Sequence, residues 1–157
     1  MTSTREQTGD GDGGGPAATP STAIETRGLP GDRGPAAVPA APVLAVVKDL
    51  FFVARIRETA RIVGVPLQFA RSVDEVAAAL PSGVRFVLLD LTGGFDYEGL
   101  FAALAELDTS RRPPVLAFTT HALARQTQPW HARCERVVTK ETLTQELAGL
   151  LRDGIAR

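Results

Sequence analysis

Four short apolar runs in this sequence end in side chains that can do chemistry. Val43 to Val47 leads into Lys48 and Asp49, Phe86 to Leu89 into Asp90, Val115 to Phe118 into Thr119, and Val137 and Val138 into Thr139 and Lys140. Two carboxylates, a hydroxyl and an ammonium suit a hard cation such as magnesium together with a phosphoryl group, because carboxylate oxygens ligate the cation and lysine offsets phosphate charge. Acting together requires a scaffold that brings four places far apart in the chain to one edge.

The pattern supplies such a scaffold. From Val43 onward, short apolar runs alternate with helical periodicity, as expected of βαβ units and a mostly parallel sheet. The first strand is expected over Val43 to Val47, followed by a helix from Leu50 to Val63 that turns Phe52, Ile56, Ala60 and Val63 inward and is ended by Gly64. Pro66 to Ala70 reads as a weaker second strand. Ser72 and Glu75 form a capping box opening a helix from Val73 to Leu80, and Pro81, Ser82 and Gly83 read as a turn. Val84 to Leu91 has the composition of a central strand buried on both faces. A helix from Tyr97 to Leu107, a fourth strand from Val115 to Thr119, and a short helix from Ala122 to Gln128 cut off by Pro129 follow. A brief strand at Val137 and Val138 and a last helix from Glu141 to Arg152 complete the series. The expected architecture is α/β and flavodoxin-like, a (βα)5 three-layer sandwich with strand order 2-1-3-4-5. In such sheets ligands bind beyond the carboxyl ends of the strands where the order reverses, here between the first and third strands, which end in Asp49 and Asp90.

Composition narrows the classes. The formal net charge is −1 with acids and bases interspersed, which lacks the footprint expected for nucleic acid or an anionic membrane. No apolar run approaches the roughly 18 residues of a membrane span, and the polar, Gly-rich start lacks the pattern of a secretory signal. The single cysteine, Cys134, excludes an internal disulfide and a Cys-based metal cluster, and fits a reducing compartment such as the cytoplasm. Residues 1–41, rich in Gly, Pro, Ala, Ser and Thr without an aromatic, are expected to be a disordered tail ahead of one domain over 42–157.

Over that domain the sequence resembles the response-regulator receiver family of two-component signalling. The resemblance is carried by Val43-Leu44-Ala45-Val46-Val47-Lys48-Asp49, Phe86-Val87-Leu88-Leu89-Asp90-Leu91, Pro114-Val115-Leu116-Ala117-Phe118-Thr119 and Val137-Val138-Thr139-Lys140, and by their spacing. It implies that Asp90 accepts phosphate from a histidine kinase, that Asp49 and Asp90 ligate magnesium, that Thr119 is the switching hydroxyl and that Lys140 partners the phosphoryl group. It also implies a signalling module without catalytic turnover of its own, acting through contacts with a histidine kinase or another signalling protein. The chain departs from the family at several places. Lys48 replaces the first of two adjacent acids, Gly94 and Glu141 stand where prolines are common, Thr120 is bulkier than usual, and Val137 replaces an aromatic.

Lys48 and Lys140 are the only lysines, and together they can balance Asp49 and Asp90 without a metal. An ammonium about 6 Å from a bound dication would repel it by roughly 5 kcal/mol at an effective dielectric of about 20, before screening. Magnesium binding is therefore expected to be weak. A phosphate-independent pseudo-receiver is the alternative, and a flavodoxin-like enzyme or flavin carrier a third reading, disfavoured because Leu50-Phe51-Phe52 rather than a phosphate-cradling loop follows the first strand. His121 reads as a solvated loop residue, and His131 with Cys134 as too few ligands for a metal. Trp130 reads as either a surface anchor for a partner or packed core. The Gly93-Gly94 pair matches no nucleotide fingerprint.

Overall fold

In a computed structural model, residues 40–155 are described. The expectation of a disordered tail therefore lies outside the described residues, apart from Ala40 and Ala41. The described elements run β1 (Val43–Val46), α1 (Leu50–Val63), β2 (Leu67–Phe69), α2 (Val73–Ala79), β3 (Val87–Asp90), α3 (Tyr97–Ala105), β4 (Val115–Thr119), α4 (Ala124–His131), β5 (Arg136–Thr139) and α5 (Lys140–Asp153). All strand pairs are parallel, and the order is β2-β1-β3-β4-β5. This is the flavodoxin-like architecture, with the order reversing between β1 and β3.

Two apolar layers flank the sheet, because alternate strand residues face opposite ways. Val43, Ala45, Leu88, Leu116 and Phe118 join Phe52 and Ile56 of α1 and Leu143 and Leu147 of α5 on one side. Leu44, Val46, Val87, Leu89 and Ala117 join Val76 of α2 and Leu100, Phe101 and Leu104 of α3 on the other, where Trp130 of α4 also packs. β1, β3 and β4 are buried along their whole lengths, as near-continuous Val, Leu and Ala runs require. Among the described residues, no helix is long and apolar enough to cross a membrane.

Local chemistry sets the boundaries. Asp49 caps α1 by accepting from the Phe51 N–H at 2.9 Å, and Gly64 ends that helix at φ 72°, a left-handed conformation that favours glycine. Ser72 caps α2 through the Glu75 N–H, while the Glu75 carboxylate accepts from the Arg71 N–H. Thr139 caps α5 by accepting from the Thr142 N–H. Lys140 thus opens α5 one residue earlier than expected, with Glu141 in the first turn where the helix dipole favours an acid.

The clearest departure from expectation is α4. It does not stop before Pro129 but runs through it to His131, preceded by a 3-10 turn at His121–Leu123. A proline past the first turn of a helix forfeits a hydrogen bond at a cost of about 3 kcal/mol. The packing of the next residue offsets that cost: Trp130 stacks on Phe101 at 6.0 Å between ring centroids and lies 5.5 Å from Tyr97. Elsewhere the differences are small. Pro81 and Ser82 belong to a 3-10 turn, β3 is shorter than Val84 to Leu91, and β5 extends from Arg136 to Thr139.

Candidate functional site

Each expected residue sits at the carboxyl edge of the sheet, but they do not form one cluster. Asp49 follows β1 and is half-exposed. Its Oδ1 is occupied by the α1 cap, and its Oδ2 lies 3.5 Å from the Lys140 Nζ. Lys140 in turn stands 5.0 Å over the Phe52 ring. Lys48 points elsewhere: its Nζ reaches the Gly94 carbonyl at 3.5 Å and lies 5.7 Å over the Phe95 ring. Of the two lysines, Lys140 is therefore the one that pairs with Asp49.

Asp90 ends β3 with only 2% of its surface exposed. Its Oδ1 accepts from the Thr92 N–H at 2.8 Å and the Thr92 hydroxyl at 2.6 Å, a local turn of the kind Asp readily makes. The Tyr97 hydroxyl donates to the Asp90 backbone carbonyl at 2.7 Å. Burial raises the pKa of that hydroxyl above its usual value, and the Asp90 charge adds in the same direction. Among the described residues, Asp90 Oδ2 is the buried side-chain oxygen with no hydrogen-bond partner. Gly93 closes over it; a Cβ there would lie 3.5 Å from Oδ2 and 3.8 Å from the Lys48 Cβ. Gly94, at φ 67°, holds a backbone conformation that proline, fixed near −65°, cannot adopt. The loop after β3 is therefore built differently from one carrying a proline at that place.

Thr119, 4% exposed, faces inward to α4. Its hydroxyl meets the Thr127 hydroxyl at 3.2 Å, and among the described residues it makes no hydrogen bond to Asp90 or Lys140. Thr120 caps the 3-10 turn through the Leu123 N–H, and His121 is exposed. Val137 lies half-buried on the α2 and α3 side of the sheet together with Trp130 and Cys134. Trp130 is therefore a packed residue, with the Arg133 guanidinium 5.9 Å from its ring and 5.1 Å from that of Phe101, and Arg133 paired with Glu98 at 3.0 Å. The Cys134 thiol donates to the Trp130 carbonyl; burial, aided by Glu135, pushes its pKa up to about 12.

Sequence reasoning found the four edge residues and missed Thr92, Tyr97 and Thr127. A threonine two places after an aspartate carried a signal for Thr92, because Asp side chains commonly bond the backbone two residues on. Tyr97 and Thr127 reach their partners through tertiary packing, which no local pattern announces.

A magnesium ion favours six oxygen ligands in near-octahedral geometry. Asp49 and Asp90 are the carboxylates that would hold one here, and of their four oxygens only Asp90 Oδ2 is not already bonded. Among the described residues, no group of three acidic, His or Cys side chains converges on a metal-sized site. The residues present thus fit a divalent cation only as a weak site.

Sheet order, helix placement and the edge of acid, hydroxyl and lysine define a receiver-like fold. Solved structures agree. The receiver domain of a sensor histidine kinase from Pseudomonas aeruginosa, described with magnesium in its active-site cleft, superposes with a TM-score of 0.59 at 18% identity, covering 73% of this chain and 97% of that one. A response-regulator receiver domain from Rhodospirillum rubrum gives 0.55 at 19% identity, covering 72% and 92%. A response regulator of Chloroflexus aurantiacus gives 0.58 at 17% identity, covering 73% and 97%. No family model matches the sequence, and comparison with curated proteins gives no match either. At these identities the likeness establishes the fold.

Proposed function

We propose that this chain is a receiver-like signalling module that acts by binding another protein and whose resting site is closed on itself, independent of phosphorylation. The observation that carries this reading is the way the edge residues are already engaged. Asp49 is tied to Lys140, Asp90 Oδ1 to Thr92, and Thr119 to Thr127, while Lys48 occupies the place of a further acid. A bound magnesium would supply positive charge to balance an incoming phosphoryl group. Asp49 and Asp90 would hold it weakly, and to contribute fully Asp49 would have to give up Lys140.

One observation favours a second reading, in which Asp90 accepts phosphate, from a histidine kinase for instance. Among the described residues Asp90 Oδ2 has no hydrogen-bond partner, and a carboxylate oxygen without a donor is free to act as a nucleophile. Incubation with acetyl phosphate and magnesium, followed by intact mass measurement, separates the two. The first reading expects no hydroxylamine-sensitive phosphate on the wild type; the second expects one that Asp90→Asn abolishes. In a parallel magnesium titration followed by NMR at Asp90, Lys48→Asp is expected to bind at least tenfold more tightly than the wild type. Equal affinities would remove Lys48 from the account.

A further inference from the structure

The buried contact of Thr119 continues beyond Thr127. The Thr127 Oγ1 lies 3.2 Å from the Thr119 Oγ1, 2.9 Å from the His131 Nε2, 3.1 Å from the Leu123 carbonyl and 3.3 Å from the Ala124 carbonyl. A threonine hydroxyl carries one hydrogen and two lone pairs, so Thr127 can donate to only one of these four neighbours at a time. Which one it chooses depends on His131.

When the His131 Nε2 carries a lone pair, the Thr127 hydroxyl donates to it across the shortest of the four distances. The Thr119 hydroxyl must then donate to Thr127 to keep its own bond. When Nε2 carries a proton, the ring donates to Thr127 and that arrangement is lost. The Thr127 hydrogen turns to Thr119 or to a carbonyl of the preceding turn. Where it turns to Thr119, the hydrogen of Thr119 is released from Thr127. Neutral imidazole can adopt either tautomer, whereas imidazolium carries both protons and allows only the second arrangement.

We infer that His131 is a positioning residue for the Thr119 hydroxyl, acting through Thr127, so that the charge on an imidazole at the end of α4 biases which way a hydroxyl at the sheet edge points. The inference deepens the reading of that edge as the working site and rests on it for its biological meaning, though the relay itself is a property of the free protein. Charged groups around α4 leave the ring unpaired. Arg125 lies on the same helix; Arg133 beyond it is held by Glu98 of α3; and the Glu135 carboxylate accepts from the Val115 N–H of β4. Tyr97 of α3 packs on the neighbouring Trp130, and the Cys134 thiol is turned to the Trp130 carbonyl. Among the described residues, no carboxylate forms an ion pair with the His131 ring.

Methyl and imidazole NMR shifts followed across a pH series test the relay in the free protein. The Thr119 methyl shift is expected to move with the midpoint of His131 and to be unchanged by His121→Gln, which removes the other histidine. In Thr127→Val and in His131→Gln the Thr119 inflection should vanish. A flat Thr119 profile in the wild type, or an inflection that survives Thr127→Val, would overturn the inference. Because the measurement needs neither phosphate nor partner, its failure is distinct from failure of the proposed signalling role.

Discussion

Asp49 and Asp90 end neighbouring strands on the same edge, yet they live in different surroundings. Asp49 stands half-exposed at the start of a helix, with one oxygen spent on a cap and the other 3.5 Å from a lysine. Asp90 is buried, bonded locally to Thr92, and braced through its backbone by Tyr97. The first is neutralised by a part-exposed lysine whose charge water and salt can screen. The second is buried and held by short bonds, where an unsatisfied oxygen costs far more than at the surface. An edge that joins an exposed acid to a buried one can lose the Asp49–Lys140 pair at little cost to the fold, and the β3 side is the part whose disturbance the rest of the molecule would feel.

Several substitutions break or sharpen that contrast. The largest effect is expected from Leu88→Ala, fully buried in the strand that carries Asp90: a loss of about 2 to 5 kcal/mol in chemical denaturation, with both sides of the site disturbed together. A loss under about 1 kcal/mol would place Leu88 outside a packed core. Tyr97→Phe should cost about 1 to 2 kcal/mol by leaving the Asp90 carbonyl short of a donor, and should move amide shifts from Asp90 to Gly94 while sparing Asp49. Asp49→Ala should cost about 1 kcal/mol, mostly through the lost cap, and the loss should persist at high salt. Lys140→Ala is expected to cost less than about 0.5 kcal/mol and to lose most of that at 1 M salt, because an ion pair with one exposed partner contributes little and is screened. A cost for Lys140 as large as that for Tyr97 would erase the distinction between the two sides.

Much of the fold was legible because burial on both faces leaves a plain mark. Val43 to Val46 and Val87 to Leu89 could hardly be anything but inner strand, and Gly64 and Ser72 sit where capping chemistry puts them. The site was legible one residue at a time. Strand ends are set by local sequence, so Asp49, Asp90, Thr119 and Lys140 were placed on the correct edge. Side-chain direction is set by packing from distant segments, so the turn of Lys48 toward Gly94 and of Thr119 toward Thr127 was not visible. Pro129 misled for the same reason. Its local preference to end a helix was outweighed by an aromatic contact with α3 that has no signature near it in sequence.

That contact has an optical consequence. The chain contains one tryptophan and one tyrosine, and the fold sets their rings 5.5 Å apart between centroids. At that separation light absorbed by Tyr97 passes to Trp130 before it can be emitted, so the native protein should show almost no tyrosine emission, and unfolding should restore it as the rings part. Since the Tyr97 hydroxyl holds the Asp90 carbonyl, return of tyrosine emission would mark the loss of packing at the end of β3. The molecule carries its own donor and acceptor pair on the α3 and α4 side of the sheet.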